Sequence, residues 1–449
     1  MAANSTCTLA PRVERELATT GLSQLWASMI ALCRQPGILD LGQGAPDFQG
    51  SAVARRAAAA AIVDDDAFVA NQYSAIGGTL RLRQALSDYY FRKHPESPVL
   101  DPVRHITVTC SATEGIFSAC QALLSAGDRA IMFEPAFPWY APSIRLAGAE
   151  SIVLRLQAPS FSLPFDDLRA ALDADAALPS RTIKMIIVNT PHNPSGAMFS
   201  RAQLERLVGL VTASHPECVF LSDEAYEAQV FPHSDAPLAN VDAAPEHVRL
   251  ATLPGMAQRT LTLGTASKLL SLTGWRVGWM VSENERLLAA CCSVHSYATF
   301  CAPVPLQLGV AAALDSDMDA SHGHGVQTSE LLARNAHVMS IAVRAHGLDV
   351  FEPRGGYFLV VDVSATGMDD VTFCRQLHAH AKIGALPLSV FYASEGAAAL
   401  SAGGALGAAI APPTNFVRMA VCKTRATIDE ACARISACVG MTSDEFKRA

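Results

Sequence analysis

Lys268 stands in the run Gly264-Thr265-Ala266-Ser267-Lys268, and Arg276 follows eight residues later in Gly274-Trp275-Arg276-Val277-Gly278. A hydroxyl, an amine and a guanidinium at this spacing can hold one anionic aldehyde. The hydroxyl and guanidinium suit a phosphate, and the amine can condense with a carbonyl carbon. The chain has only six lysines. A lysine is ordinarily a solvated surface group, so the setting of Lys268 carries the signal. It follows Thr260-Leu261-Thr262-Leu263, which reads as a strand end, where catalytic groups tend to gather.

Other candidates share that placement. Ser111-Ala112-Thr113 follows the β-rich run Ile106-Thr107-Val108-Thr109 and opens a helix, so free N–H groups and two hydroxyls form an anion cradle. Taken alone, it is an ordinary helix cap. Asn193, in Thr190-Pro191-His192-Asn193-Pro194-Ser195-Gly196, sits in a turn forced by two prolines and a glycine. Asp223-Glu224-Ala225-Tyr226 ends a further strand-like run, and Phe137 lies in Glu134-Pro135-Ala136-Phe137. A carboxylate, an amide, a phenol and an aromatic ring are the groups that would hold a protonated pyridine ring, its phenolic oxygen and its face. Together with Lys268, they point to pyridoxal 5′-phosphate, whose ring serves as an electron sink.

The elements that position these groups are legible in outline. Six strand-like runs, Ile106–Thr109, Arg129–Phe133, Ile183–Asn189, Cys218–Ser222, Arg259–Gly264 and Val277–Val281, are separated by helical stretches such as Gly115 to Leu124. That alternation predicts an α/β domain with a mostly parallel sheet and its site beyond the strands' carboxyl ends. After about residue 312 the pattern becomes α+β, with a helix from Ser329 to Ala345, a strand at Gly356–Val361, a helix from Val371 to His380 and a strand at Phe416–Val421. The expected organisation is an arm (1–20), an N-terminal site segment (21–51), a large domain (52–311) and a small domain (312–449). The Gly/Ala-rich stretch 394–413 and residues 315–328 read as loops.

Composition bounds the rest. Of 449 residues, half are hydrophobic and 17% are charged, with a net charge of -8. A large core follows, and a nucleic-acid or anionic-membrane surface does not. No apolar run is long enough to span a membrane. The first twenty residues carry Arg12, Glu14, Arg15 and Glu16 without the apolar centre of a signal peptide, so a cytoplasmic address is expected. Twelve cysteines without a CxxC or a zinc spacing predict reduced, buried thiols. His322-Gly323-His324 lies in a Gly/Ser/Asp-rich stretch and reads as a solvated loop, with no metal expected.

In order and spacing, Ser-Ala-Thr, Glu-Pro-x-Phe, Asn-x-Pro, Asp-Glu-x-Tyr, Thr-x-x-Lys, Gly-Trp-Arg-x-Gly, Gly-Gly-Tyr-Phe and Phe-Val-Arg resemble the class I/II aminotransferases of fold type I. They look most similar to the branch of kynurenine, glutamine and methionine aminotransferases, which includes cysteine-conjugate β-lyases. The match extends to Trp26, the run Asp40 to Phe48 and Asn71-Gln72-Tyr73.

The resemblance implies a seven-stranded large-domain sheet, a homodimer and a role for each matched position. Lys268 would bind the cofactor aldehyde and shuttle a proton. Asp223 would face the pyridine nitrogen, with Asn193 and Tyr226 at the phenolic oxygen and Phe137 on the ring. Ser111, Ala112, Thr113, Thr265 and Arg276 would form the phosphate cup, with Tyr73 offered to the neighbour's cofactor. Arg418 and Gly44 would hold the substrate carboxylate, with Asn193 beside them, while Trp26 and Phe300 would line the side-chain pocket. Cys301 stands beside Phe300 where the branch usually has a histidine. Three activities fit the residues: transamination of an aromatic, kynurenine-, methionine- or glutamine-like amino acid, β-elimination from cysteine conjugates, and a non-catalytic regulator built on the same fold.

Overall fold

The computed structural model describes residues 8–18, 21–64, 69–231, 246–316, 323–392, 398–400, 406–407 and 412–438. Seven strands of the large sheet lie in the order Glu150–Arg155, Arg129–Glu134, Ile183–Asn189, Val219–Asp223, Thr260–Thr265, Gly278–Val281 and Ile106–Thr109. Neighbours run parallel except around Gly278–Val281, which is antiparallel to both of its partners. Side chains alternate between two cores, as period-2 geometry requires. Ile131, Ile186 and Phe220 bury against helices Phe165–Ala176 and Arg201–Ser214. Met132, Ile187 and Leu221 bury on the other face, against Ser111–Leu123 and Glu285–Thr299.

Register aligns the chemistry along one edge. Asn189 is paired with Asp223, Thr265 with Gly278, and Thr109 also with Gly278. The carboxyl ends of the strands therefore present the Asn193 turn, Asp223, Thr265 and the start of helix Ser111–Leu123 as neighbours.

A second, antiparallel sheet has the order Leu386–Pro387, Phe416–Ala420, Phe358–Asp362 and Asp349–Phe351. It is accompanied by helices His324–Arg344, Asp370–Gln376 and Arg425–Cys438. Leu39–Asp40 pairs in parallel with Ile383–Gly384, and the Ala420 N–H donates to the Leu41 carbonyl at 2.6 Å. These bonds bring Gly42 and Gly44 beside Arg418. Asp40 Oδ1 fixes the bend by accepting from the N–H groups of Gly42 and Gln43, both at 2.9 Å.

The structure corrects the sequence reading at several points. Glu150–Arg155 was not among the six located runs, because Ile152-Val153-Leu154 is too short an apolar stretch to separate strand from helix. Residues 398–400 and 406–407, expected as part of a loop, pair antiparallel and add two strands beyond Glu150–Arg155, making nine among the described residues. The N-terminal arm contains the helix Pro11–Ala18, anchored by a 2.7 Å ion pair between Glu16 and Arg145. Of the loop at 315–328, residues 315–316 end one helix and 324–328 begin another, while 317–322, His322 included, lie outside the described residues. His324 Nε2 meets Ser271 Oγ at 3.2 Å. Among the described residues ten cysteines are free thiols, six buried as expected and four, Cys110, Cys292, Cys301 and Cys432, only half-buried. Among the described residues, no helix is long and apolar enough to cross a membrane.

Behind the sheet, Trp279 is fully buried and donates its indole N–H to Tyr90 Oη at 2.9 Å. The Arg249 guanidinium caps the Tyr90 ring at 4.4 Å. Tyr90→Phe leaves that N–H unsatisfied and should cost about 1–3 kcal/mol in urea unfolding. An unchanged midpoint and slope would show that the bond adds nothing.

Candidate active site

A cleft of about 440 Å³ lies between the carboxyl edge of the large sheet and the small sheet. Its floor carries Lys268, in a single helical turn, Ala266–Leu269, directly after the strand Thr260–Thr265. Lys268 Nζ donates to the Gly44 carbonyl at 2.8 Å and stands 4.8 Å from the Tyr357 ring centroid and 5.6 Å from that of Tyr226. Burial pushes the amine down to about 8, helped by Arg418 and Arg276 and opposed by Cys422 and Asp223. Near neutrality, a fraction of it is therefore uncharged and nucleophilic.

At one end, Asp223 is 5% exposed. Tyr140 donates its O–H to Asp223 Oδ2 at 2.5 Å, and the Ala225 N–H reaches Oδ1 at 3.2 Å. Burial raises the Asp223 pKa, and these two donors oppose the rise. No cation bonds this carboxylate among the described residues, so a protonated ring nitrogen would supply the missing charge. Tyr226 lines the same wall, its phenol pushed up by burial.

The anion cradle is assembled from three segments. Helix Ser111–Leu123 begins without a side-chain cap, leaving its first N–H groups available. Thr265 Oγ1 accepts from the Ser267 N–H at 3.2 Å, and Ser267 Oγ is buried at the cleft without a hydrogen-bond partner among the described residues. Arg276 reaches the cleft from a left-handed backbone, φ 54°, an uncommon state for a side chain of this size. Gly278 makes the assembly possible, since a Cβ there would stand 2.5 Å from the Ala112 nitrogen. An orphaned hydroxyl, an uncapped helix and a guanidinium together fit a phosphate.

On the small-sheet side, Arg418 is 2% exposed. Its Nη1 donates to Asn193 Oδ1 at 2.9 Å and Nη2 to the Gly42 carbonyl at 2.7 Å, while Nε has no partner among the described residues. The guanidinium lies between the rings of Phe358 and Phe391, 3.7 and 4.4 Å from their centroids. Burial pushes its pKa down to about 9. A buried cation facing only neutral acceptors is set to receive a carboxylate.

The cleft gathers Trp26, Gly44, Ser111, Ala112, Thr113, Phe137, Asn193, Asp223, Tyr226, Thr265, Lys268, Arg276 and Arg418. Tyr73 and Phe300 lie outside it. They pack edge to face on each other, with centroids 5.1 Å apart, and are 82% and 47% exposed. Sequence reasoning assigned no role to Tyr140, Ser267, Trp139 or Phe358. Trp139 stacks on Phe137 at 4.8 Å. Tyr140 stands in the same segment as Phe137, but its reach to Asp223, 83 positions away, has no sequence signal.

The fold and cleft define a pyridoxal phosphate enzyme of fold type I. Residues 36–435 match the family model described as aminotransferase class I and II. The Escherichia coli methionine aminotransferase is 31% identical over 370 residues, covering 82% of this chain and 88% of its own. The human kynurenine–oxoglutarate transaminase 3 is 30% identical, covering 83% and 82%. The N-succinyldiaminopimelate aminotransferase structure from Mycobacterium tuberculosis superposes with a TM-score of 0.78 at 30% identity, covering 96% of this chain and all of that one. The chain belongs to the class I and II aminotransferase family. It is accordingly a pyridoxal phosphate-dependent aminotransferase that acts on amino and 2-oxo acids.

Because the neutral amine is the nucleophile, capture of pyridoxal phosphate by the cofactor-free protein should accelerate with pH through about 8 and then level off. A rate still climbing toward the ordinary value of 10.5 would contradict the depression of Lys268.

Proposed function

We propose that this aminotransferase takes its amino group from L-amino acids with aromatic, kynurenine-, methionine- or glutamine-like side chains and passes it to a 2-oxo acid in ping-pong fashion. One observation carries the reading. The cations lining the cleft are Lys268, Arg276 and Arg418, whereas Trp26, Trp139 and Phe358 supply aromatic wall beside Arg418. With Arg276 at the cradle and Arg418 engaged by the α-carboxylate, no further arginine lines the cleft among the described residues to meet a side-chain carboxylate. The methionine and kynurenine relatives support the same substrate class.

When bound, pyridoxal phosphate supplies an aldehyde and an electron-accepting ring. In this reading Lys268 Nζ would hold that aldehyde, and its free amine would serve as general base, taking the substrate α-proton and delivering it to the carbon of the former aldehyde. Asp223, held by Tyr140, keeps a proton on the ring nitrogen. Asn193 and Tyr226 would serve the phenolic oxygen, and Phe137 would cover the ring. Ser111, Ala112, Thr113, Thr265, Ser267 and Arg276 hold the phosphate. Arg418 and Gly44 orient the substrate carboxylate, with Trp26 beside the side chain.

Tyr73 and Phe300 act on the neighbouring subunit of a homodimer, a reading supported by their joint exposure away from their own cleft. Residues 52–311 are read as the cofactor domain and 312–449 as the small domain. A cytoplasmic address is supported by the free thiols.

A panel of amino donors with a fixed 2-oxo acid should rank phenylalanine, kynurenine and methionine above aspartate in kcat/KM. Aspartate leading the panel would refute the substrate class. Arg418→Lys should lower kcat/KM by about 10²-fold, because the planar fork is lost at a buried site. A loss below about threefold would remove Arg418 from carboxylate recognition.

A further inference from the structure

Helix Ser111–Leu123 offers its first turn to the cradle, yet it carries a carboxylate there. Glu114 is 10% exposed at its side chain. Its Oε2 accepts from the Cys110 N–H at 2.8 Å and its Oε1 from the Ser118 hydroxyl at 2.9 Å. A carboxylate at this end of a helix competes with any other anion for the same positive field. Opposite it stands His295, fully buried, with Nδ1 3.0 Å from both Glu114 oxygens.

The other ring nitrogen has an equally demanding partner. His295 Nε2 lies 3.1 Å from the Ile76 carbonyl, which can only accept. Nε2 therefore carries hydrogen. Nδ1 faces both carboxylate oxygens, where two acceptors would repel each other and a hydrogen between them would bind the pair. A hydrogen so placed leaves the pair with no net negative charge. Thr299 completes the knot, its hydroxyl 3.0 Å from Nδ1. One imidazole thus joins the cradle helix to the chain just after Tyr73 and to the helix end just before Phe300. Neither Glu114 nor His295 lines the cleft.

We propose that His295 is a positioning residue for the cofactor cradle, neutralising Glu114 in the first turn of helix Ser111–Leu123 so that the helix end remains available to the cofactor phosphate. The proposal rests on the reading of Ser111, Ala112 and Thr113 as phosphate contacts. It requires no contact between His295 and cofactor or substrate.

The test is a mutant cycle read by pyridoxal phosphate affinity, with titrations followed by the cofactor's absorbance and with folding checked by circular dichroism. His295→Gln should weaken affinity about tenfold or more, because a buried carboxylate loses its partner. Glu114→Gln alone should bind as tightly as the parent or tighter. The double variant should recover most of the affinity lost in His295→Gln, and kcat at saturating cofactor should stay within about twofold throughout. A merely structural histidine predicts no recovery. The proposal is overturned if the double variant is as weak as His295→Gln, or if His295→Gln binds within about twofold of the parent. If His295→Gln fails to fold, Glu114→Gln decides: weakened binding overturns the proposal and unchanged or tighter binding supports it. Thr113→Ala checks the underlying reading separately, since loss of a phosphate contact should weaken affinity whatever the state of Glu114.

Discussion

A guanidinium held out of water with no anion beside it is the constraint on which the site turns. Arg418 is buried between two aromatic rings and, among the described residues, bonded only to an amide oxygen and a carbonyl. Such an arrangement costs several kcal/mol in isolation and is tolerable where packing and neutral acceptors hold it and an incoming carboxylate completes it. The small sheet supplies that packing. Arg418 sits in the central strand Phe416–Ala420, with its backbone fixed on both sides by Val360 and Leu386. The N-terminal segment supplies the acceptor, held in place by its pairing with Ile383–Gly384.

The same logic governs the rest of the cleft. Asp223 is a buried carboxylate with no bonded cation, Lys268 is an amine whose charged form is disfavoured by burial, and Ser267 is a buried hydroxyl with no acceptor. Each is a charge or a dipole left incomplete by the protein. In the proposed reading, a phosphorylated, cationic, aldehyde-bearing ring would complete Asp223, Lys268 and the cradle, and an amino acid carboxylate would complete Arg418. On the same reading, specificity for the amino acid side chain would fall to the aromatic wall, where discrimination rests on fit and desolvation.

Rigidity comes from below the cleft. Gly278 allows the antiparallel strand to approach the helix that forms the cradle, and Gly264 leaves room for the Trp279 indole behind it. Buried polar pairs such as Glu224 with His247 and Glu114 with His295 lock the connections between strands and helices. A cradle assembled from three separated segments keeps its geometry only if those segments cannot slide, and packed elements are better suited to that than loops.

The residue types and their order along the chain carried the class of chemistry. A lysine after a Thr-rich strand, an Asp-Glu-x-Tyr at the next strand's end and a Gly-Trp-Arg-x-Gly downstream are local patterns, and the strand–helix alternation between them implied the parallel sheet. Other features depended on distances that sequence does not encode. Tyr140 meets Asp223 because two strand ends converge, and Arg418 meets Gly42 across 376 positions because two sheets pack. The strand Glu150–Arg155 and the paired residues 398–400 and 406–407 owe their form to a neighbouring edge, since a short apolar or Gly/Ala-rich run has no period of its own strong enough to choose it. Sequence determined which groups are available. Tertiary packing decided which of them are stripped of water and left facing one another, because desolvation is a property of the assembled fold and not of any segment.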